Sequence, residues 1–166
     1  MGMVQQKGNF AFIDGTNLHL STKYLSWLID WQAFREYLRK RHNVTQALYF
    51  VGYSGQYEWI YKYLRSYDYR LVHKPLLRLP DGSTKGNCDT ELVLHAMIEL
   101  DNYDRAVIVT GDGDMGCLVK YLNDIGKFKL VIACKRDSSS YQIRRAAGGN
   151  IMFIDYLREK FEFIKK

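Results

Sequence analysis

Four aspartates stand where they could act on one ligand. Asp14 follows the apolar run Phe10-Ala11-Phe12-Ile13. Asp112 and Asp114 follow Ala106-Val107-Ile108-Val109, in the run Thr110-Gly111-Asp112-Gly113-Asp114, and Asp89 opens the helical pattern that leads into it. Carboxylates crowded into one crevice repel one another at neutral pH unless a cation sits among them. Oxygen ligands without accompanying Cys or His pairs select Mg²⁺ or Mn²⁺ rather than zinc. Such a site suits phosphoryl chemistry, in which the metal makes a hydroxide nucleophile and neutralises charge on the phosphate and the leaving oxygen. A second reading stands beside this one. Asp is a favoured N-cap and turn residue, so each of the four could simply cap the next element.

Convergence of the four depends on the elements that carry them. Short apolar runs at Phe10–Ile13, Leu48–Val51, Arg70–Val72, Ala106–Val109, Leu130–Ala133 and Ile151–Ile154 read as strands. Helical spacing covers residues 31–42, 56–67, 89–101, 114–125, 138–147 and 155–165, while the Pro- and Gly-bearing stretch 75–87 reads as a loop. Apolar strands without alternation are buried on both faces, so helices alternating with them imply a parallel sheet covered on both sides. Ligands of such sheets bind beyond the carboxyl ends of the strands, where the strand order reverses. If the first and fourth strands are neighbours there, the aspartates meet.

Composition agrees with a folded domain spanning residues 1–166. The chain is 47% hydrophobic and 25% charged, with two prolines, and no apolar run is long enough for a membrane span. The N-terminus MGMVQQKGNF lacks a signal-peptide core, and Gln6 breaks a myristoylation pattern. Cys88, Cys117 and Cys134 give neither a disulfide framework nor a zinc spacing, which points to a cytoplasmic setting. The net charge of +6 is uneven: residues 1–126 hold 14 basic and 14 acidic side chains, whereas residues 127–166 hold 10 and 4. A basic segment of this kind meets phosphates or forms a solvated helix face.

Several other chemistries lack a needed residue. Asp14-Gly15-Thr16 matches the end of the haloacid-dehalogenase phosphatase motif, but position 12 is Phe, so no aspartyl-phosphate can form. The Asp-x-Asp of topoisomerase-primase folds needs a glutamate where Asp14 stands. No P-loop, dinucleotide fingerprint or nucleophile elbow is present.

Phe12-Ile13-Asp14-Gly15-Thr16-Asn17-Leu18, Lys85-Gly86-Asn87-Cys88-Asp89 and Thr110-Gly111-Asp112-Gly113-Asp114 resemble the three signatures of NYN domains, which are PIN-like nucleases. The chain is most similar to the LabA-like branch, and Ser138–Ser140, Arg144-Arg145-Ala146-Ala147 and Phe153-Ile154 also fit. The resemblance implies a Rossmann-like three-layer α/β/α sandwich with a mainly parallel sheet of PIN-like order 3-2-1-4-5. It implies metal-dependent cleavage of RNA by water. Asp14, Asp89, Asp112 and Asp114 match the family's acidic metal positions, and Asn17 matches the Asn that would orient a water or a phosphate oxygen. Three positions depart from the pattern: His95 where many relatives are acidic, Met115 where an aromatic is common, and Cys117 where a proline is common.

RNA would be held by the basic segment. Ser138, Ser139 and Ser140 precede a helix, flanked by Lys135, Arg136, Arg144 and Arg145, and Lys85 lies on the loop before Asp89. A helix start rich in serine presents N–H groups and hydroxyls to a phosphate, or caps itself. Aromatics are dense around residues 57–69, which suits base stacking, core packing or the face of a homodimer. The alternative to a ribonuclease is a catalytically silent NYN-like module that binds RNA or protein. A third reading is a nuclease or phosphatase for DNA or small nucleotides.

Overall fold

The computed structural model describes residues 7–22 and 25–165, apart from the side chains of Leu20 and Ser21. Residues 1–6, where no targeting signal is expected, lie outside the described residues. Strand β1 (Asn9–Asp14) is buried at every position. Its side chains alternate between two cores: Phe10 and Phe12 face one, Ala11 and Ile13 the other. A strand buried on both faces belongs at the centre of a covered sheet. Around it lie β2 (Val44–Tyr53), β3 (Tyr69–Pro75), β6 (Ala106–Val109), β7 (Phe128–Ala133) and β8 (Ile151–Phe153). The order is β3-β2-β1-β6-β7-β8, with every neighbouring pair parallel. Counted without a short hairpin, β4 (Leu77–Arg78) with β5 (Thr84–Lys85), this is the expected 3-2-1-4-5 with a sixth strand added at the edge.

Helices cover both faces. Helices α4 (Asp89–Ile98), α5 (Gly116–Asp124) and α6 (Tyr141–Ala147) bury Leu92, Leu118, Leu122 and Ile143 against Phe10 and Phe12. On the other side α1 (Gly15–Thr22), α2 (Trp31–His42), α3 (Glu58–Ser66) and α7 (Arg158–Phe161) contribute Leu18, Phe34, Leu64 and Phe161. Helix α2 shows its boundaries in sequence. The Asp30 side chain accepts the Ala33 N–H, basic residues fill the last turn, and Asn43 ends the helix in the left-handed conformation. The chain builds β1, β2 and β3 outward, then returns across β1 to start β6. That reversal makes β1 and β6 adjacent, as the carboxylates require.

The elements depart from the sequence expectation in several places. A helix not expected from the sequence, α1, follows β1 directly; its segment Gly-Thr-Asn-Leu begins with turn-forming residues and has no clear apolar stripe. The loop at 75–87 contains a short antiparallel hairpin, β4 (Leu77–Arg78) with β5 (Thr84–Lys85). Helix α6 starts at Tyr141, because Ser140 is its N-cap and accepts the Gln142 N–H. The final helix is shorter than 155–165. A 3₁₀ turn covers Ile154–Leu157 and α7 ends at Phe161. There the backbone turns to pair with residues 28–30: Asp30 N–H donates to the Phe161 carbonyl and Phe163 N–H to the Leu28 carbonyl. Among the described residues, no helix is long and apolar enough to cross a membrane.

Candidate metal centre

The carboxyl ends of β1 and β6 form the crevice. Asp14 ends β1 and is buried, at 3% exposure. One of its oxygens accepts the Asn17 N–H at 3.0 Å and the other accepts the Thr110 hydroxyl at 3.1 Å. The Thr110 oxygen in turn accepts the Asp112 N–H at 3.1 Å. Thr110 therefore couples the first aspartate to the loop that carries the other two, a role the sequence does not announce. Asn17 adds a second tie, since its side-chain carbonyl accepts the Gly111 N–H at 2.9 Å. Gly15 lets α1 start here. A Cβ at this position would lie 2.6 Å from the Phe50 carbonyl and 2.3 Å from the Tyr49 ring. Gly113 is similarly confined, with the Ser140 hydroxyl 2.5 Å from where its Cβ would be.

Asp112 and Asp114 flank that glycine. Asp112 caps the 3₁₀ turn Gly113–Met115, its carboxylate accepting the Asp114 N–H at 3.0 Å. Asp89 opens α4 and is bracketed by Asn87, whose amide donates to the carboxylate at 2.6 Å and whose carbonyl accepts the Asp89 N–H at 2.8 Å. The capping reading is thus correct for Asp14 and Asp112, but capping leaves oxygens over. One oxygen each from Asp89, Asp112 and Asp114 lie within 4.8 Å of one another. Oxygens on opposite sides of a hexacoordinate Mg²⁺ are about 4.2 Å apart, so three carboxylate oxygens at this spacing suit a hard divalent cation.

Asp14 is not one of these three. It is still close enough to feel Asp89 and Asp112. Burial, reinforced by those two charges and opposed by the bonds from Asn17 and Thr110, pushes its carboxyl up to about 6. Asp89 is also raised, by its own burial first and by Asp112, Asp114 and Glu91, against the bond from Asn87. A cation beside Asp14 and Asp89 would offset both the burial and the neighbouring negative charge. The buried Cys88 thiol is pushed up to about 11, chiefly by burial, so it stays protonated and is a poor ligand or nucleophile. His95 lies with its ring 5.5 Å from Phe50 and is not part of the acidic group.

The expected RNA-holding residues divide. Lys85 lines a cleft together with Asp89 and Asp114, and Lys74, not anticipated, lines it too. Lys74 pairs with Glu91 at 3.1 Å and donates to the Asn87 carbonyl, so it braces the base of α4. Lys135, Arg136 and Ser138 follow the carboxyl end of β7, at the same sheet edge as the aspartates. Ser139 is buried and donates to the Arg136 carbonyl at 2.6 Å. Arg144 donates to the Arg136 carbonyl and to the Ser139 carbonyl and hydroxyl, which ties its guanidinium into the loop. Arg145 is exposed. The positive excess is also less concentrated than it looks. Lys127 precedes β7 and donates to the Leu100 and Tyr103 carbonyls, Lys129 lies near the start of β7, away from the aspartates, and Arg158 pairs with Glu162. Of the aromatics, Tyr61 and Tyr69 are buried while Tyr57 and Trp59 are exposed.

A crystal structure of a protein of unknown function from Vibrio parahaemolyticus has the same fold. It superposes with a TM-score of 0.80 at 23% identity, over 98% of this chain and all of that one. No curated protein matches the sequence. The family model of the NYN domain matches residues 10–155, across both aspartate-bearing strand ends and the start of α4, and the chain belongs to the NYN domain family.

Proposed function

We propose that the protein is a metal-dependent ribonuclease of the LabA-like branch, acting as one domain, with Asp89, Asp112 and Asp114 holding Mg²⁺ or Mn²⁺. The family supports a PIN-like nuclease, hence a hydrolase. The observation that carries the reading is the approach of three carboxylate oxygens to within 4.8 Å. When bound, the cation supplies a hydroxide at neutral pH and neutralises charge on the scissile phosphate and the leaving oxygen.

The chain's own residues do the rest. Asp14 holds Thr110 and the start of α1, and adds its charge beneath the site rather than a direct ligand oxygen. Asn17 fixes the Asp112 loop through Gly111. Lys85, Lys135, Arg136 and Arg145 offer exposed or half-exposed cations for RNA phosphates, and Ser138 offers a hydroxyl. A binding-only module has one observation in its favour, the capping duty of Asp14 and Asp112.

The test is cleavage of labelled single-stranded RNA with Mn²⁺ or Mg²⁺ by the wild type and by Asp89→Asn and Asp112→Asn proteins. Activity that needs metal and is lost in both variants supports the reading. Cleavage that survives chelation, or that both variants retain in full, refutes it. Parallel substrates of structured RNA and DNA identify the preferred polymer.

A further inference from the structure

Next to the acidic group lies a cleft of about 730 Å³. Its apolar lining comes from Val93, Leu94, Met97 and Met115, and its charged lining has both signs, with Lys74 and Lys85 near Asp89 and Asp114. Asp89, Val93 and Met97 recur at four-residue intervals along α4, so they share one helix face. That face runs for about 12 Å along the axis from Asp89 to Met97. The residues that would hold a cation therefore continue, on one surface, into an apolar ledge. Met97 suits such a ledge because a methionine is polarizable and adapts its shape, while Met115 closes the cleft from the core.

We propose that this cleft is a nucleotide subsite for single-stranded nucleic acid, in which an unpaired base next to the scissile phosphate lies on Val93, Leu94 and Met97. The assignment rests on the nuclease reading for the position of the phosphate. A splayed-out base has an apolar face that side chains can cover, whereas in a duplex both faces are taken by neighbouring bases. Lys85 makes no ion pair among the described residues, so its ammonium is available to the next phosphate. Lys74 is committed to Glu91 and frames the cleft. An apolar protein segment would fit the ledge but would desolvate Lys85, Asp89 and Asp114 without partners. A nucleotide places apolar surface, phosphate and cation-seeking oxygens against matching groups.

Two exposed residues of α4 make the test. Leu94 is 54% and Ile98 61% exposed, so serine at either position leaves the core intact, but only Leu94 lines the cleft. Binding of a labelled oligouridylate to the full chain is measured by fluorescence anisotropy in Ca²⁺ buffer, beside a probe of the same length that lacks its bases. Leu94→Ser is expected to weaken oligouridylate binding about three- to tenfold. Ile98→Ser should change it less than about twofold, and neither variant should alter binding of the abasic probe. Equal effects of the two variants, an equal loss with the abasic probe, or no binding of oligouridylate by the wild type overturn the assignment. So does a dimer that Leu94→Ser dissociates, because the cleft would then take a second copy. Cleavage by the same proteins separates the two readings. Cleavage with affinity unmoved by Leu94→Ser removes the subsite alone, and Leu94-dependent binding without Mn²⁺-dependent cleavage removes the nuclease alone.

Discussion

Replacing Asp14 by Asn should stabilise the metal-free protein at neutral pH, the opposite of what losing a hydrogen-bonded buried carboxylate usually does. The Asp14 carboxyl is pushed from an ordinary 3.8 up to about 6, mainly by burial. Between those two pH values the folded protein keeps a proton that the unfolded chain releases. Stability therefore falls as pH rises through this window and is level above it. A gap of about two units corresponds to roughly 3 kcal/mol, and water penetration makes about 1–2 kcal/mol the better expectation. Asparagine keeps most of the bonding. Its oxygen accepts the Asn17 N–H, and its amide donates to the Thr110 oxygen, leaving one hydroxyl proton without its acceptor. Urea unfolding in EDTA, at steps from about pH 4 to 7.5, reads the difference between variant and wild type. The variant should be the more stable at the upper end, with the advantage gone near pH 4. Added Mn²⁺ should stabilise the wild type more than the variant. A variant that is less stable at every pH, or a difference that ignores pH, would show that Asp14 is not held charged against its environment.

Other outcomes follow from the same contacts. Gly15→Ala should cost about 1–3 kcal/mol in thermal or urea unfolding, since the new methyl would meet the Phe50 carbonyl and Tyr49 ring. Asn17→Ala leaves the Gly111 N–H without its partner. It should cost about 1–3 kcal/mol of stability and lower kcat while leaving KM nearly unchanged, because the loop carrying Asp112 and Asp114 loses a tie. Arg136→Ala should reduce the slope of log affinity against log salt by about 0.7 for single-stranded RNA, with little change in single-turnover cleavage at saturation. Thr110→Val removes both bonds of the hydroxyl, and should lower activity without unfolding the protein; circular dichroism and cleavage rates check the two halves.

The central strands were legible because burial on both faces erases alternation, and Phe10–Ile13 and Ala106–Val109 are unbroken apolar runs. Their adjacency followed from the family resemblance, and the return of the chain across β1 bears it out. Helix α1 was hidden since its first residues, Gly15, Thr16 and Asn17, are those of a turn. The last helix is shorter than its apolar spacing suggests because the backbone beyond it bonds to residues 28–30, which nothing local reveals. Within the site, residue types pointed to the aspartates, but only the fold divides them into Asp89, Asp112 and Asp114 on one side and the buried Asp14 on the other. Thr110 and Lys74 carry no local signal for a similar reason. A threonine hydroxyl acquires its role only with Asp14 beside it, and Lys74 meets Glu91 only after β3 and α4 are packed. Charge counted along the chain says nothing about which end of β7 a lysine occupies, and Lys129 lies near its start, away from the aspartates.

Metal binding by Asp89, Asp112 and Asp114 is the central question for this protein. Anomalous diffraction from crystals soaked in Mn²⁺, collected for the wild type and for Asp112→Asn, is the most direct measurement. A strong peak between Asp89, Asp112 and Asp114 in the wild type, absent in the variant, is the predicted result. No peak at that position under saturating Mn²⁺, or a peak that persists unchanged without the Asp112 carboxylate, contradicts it.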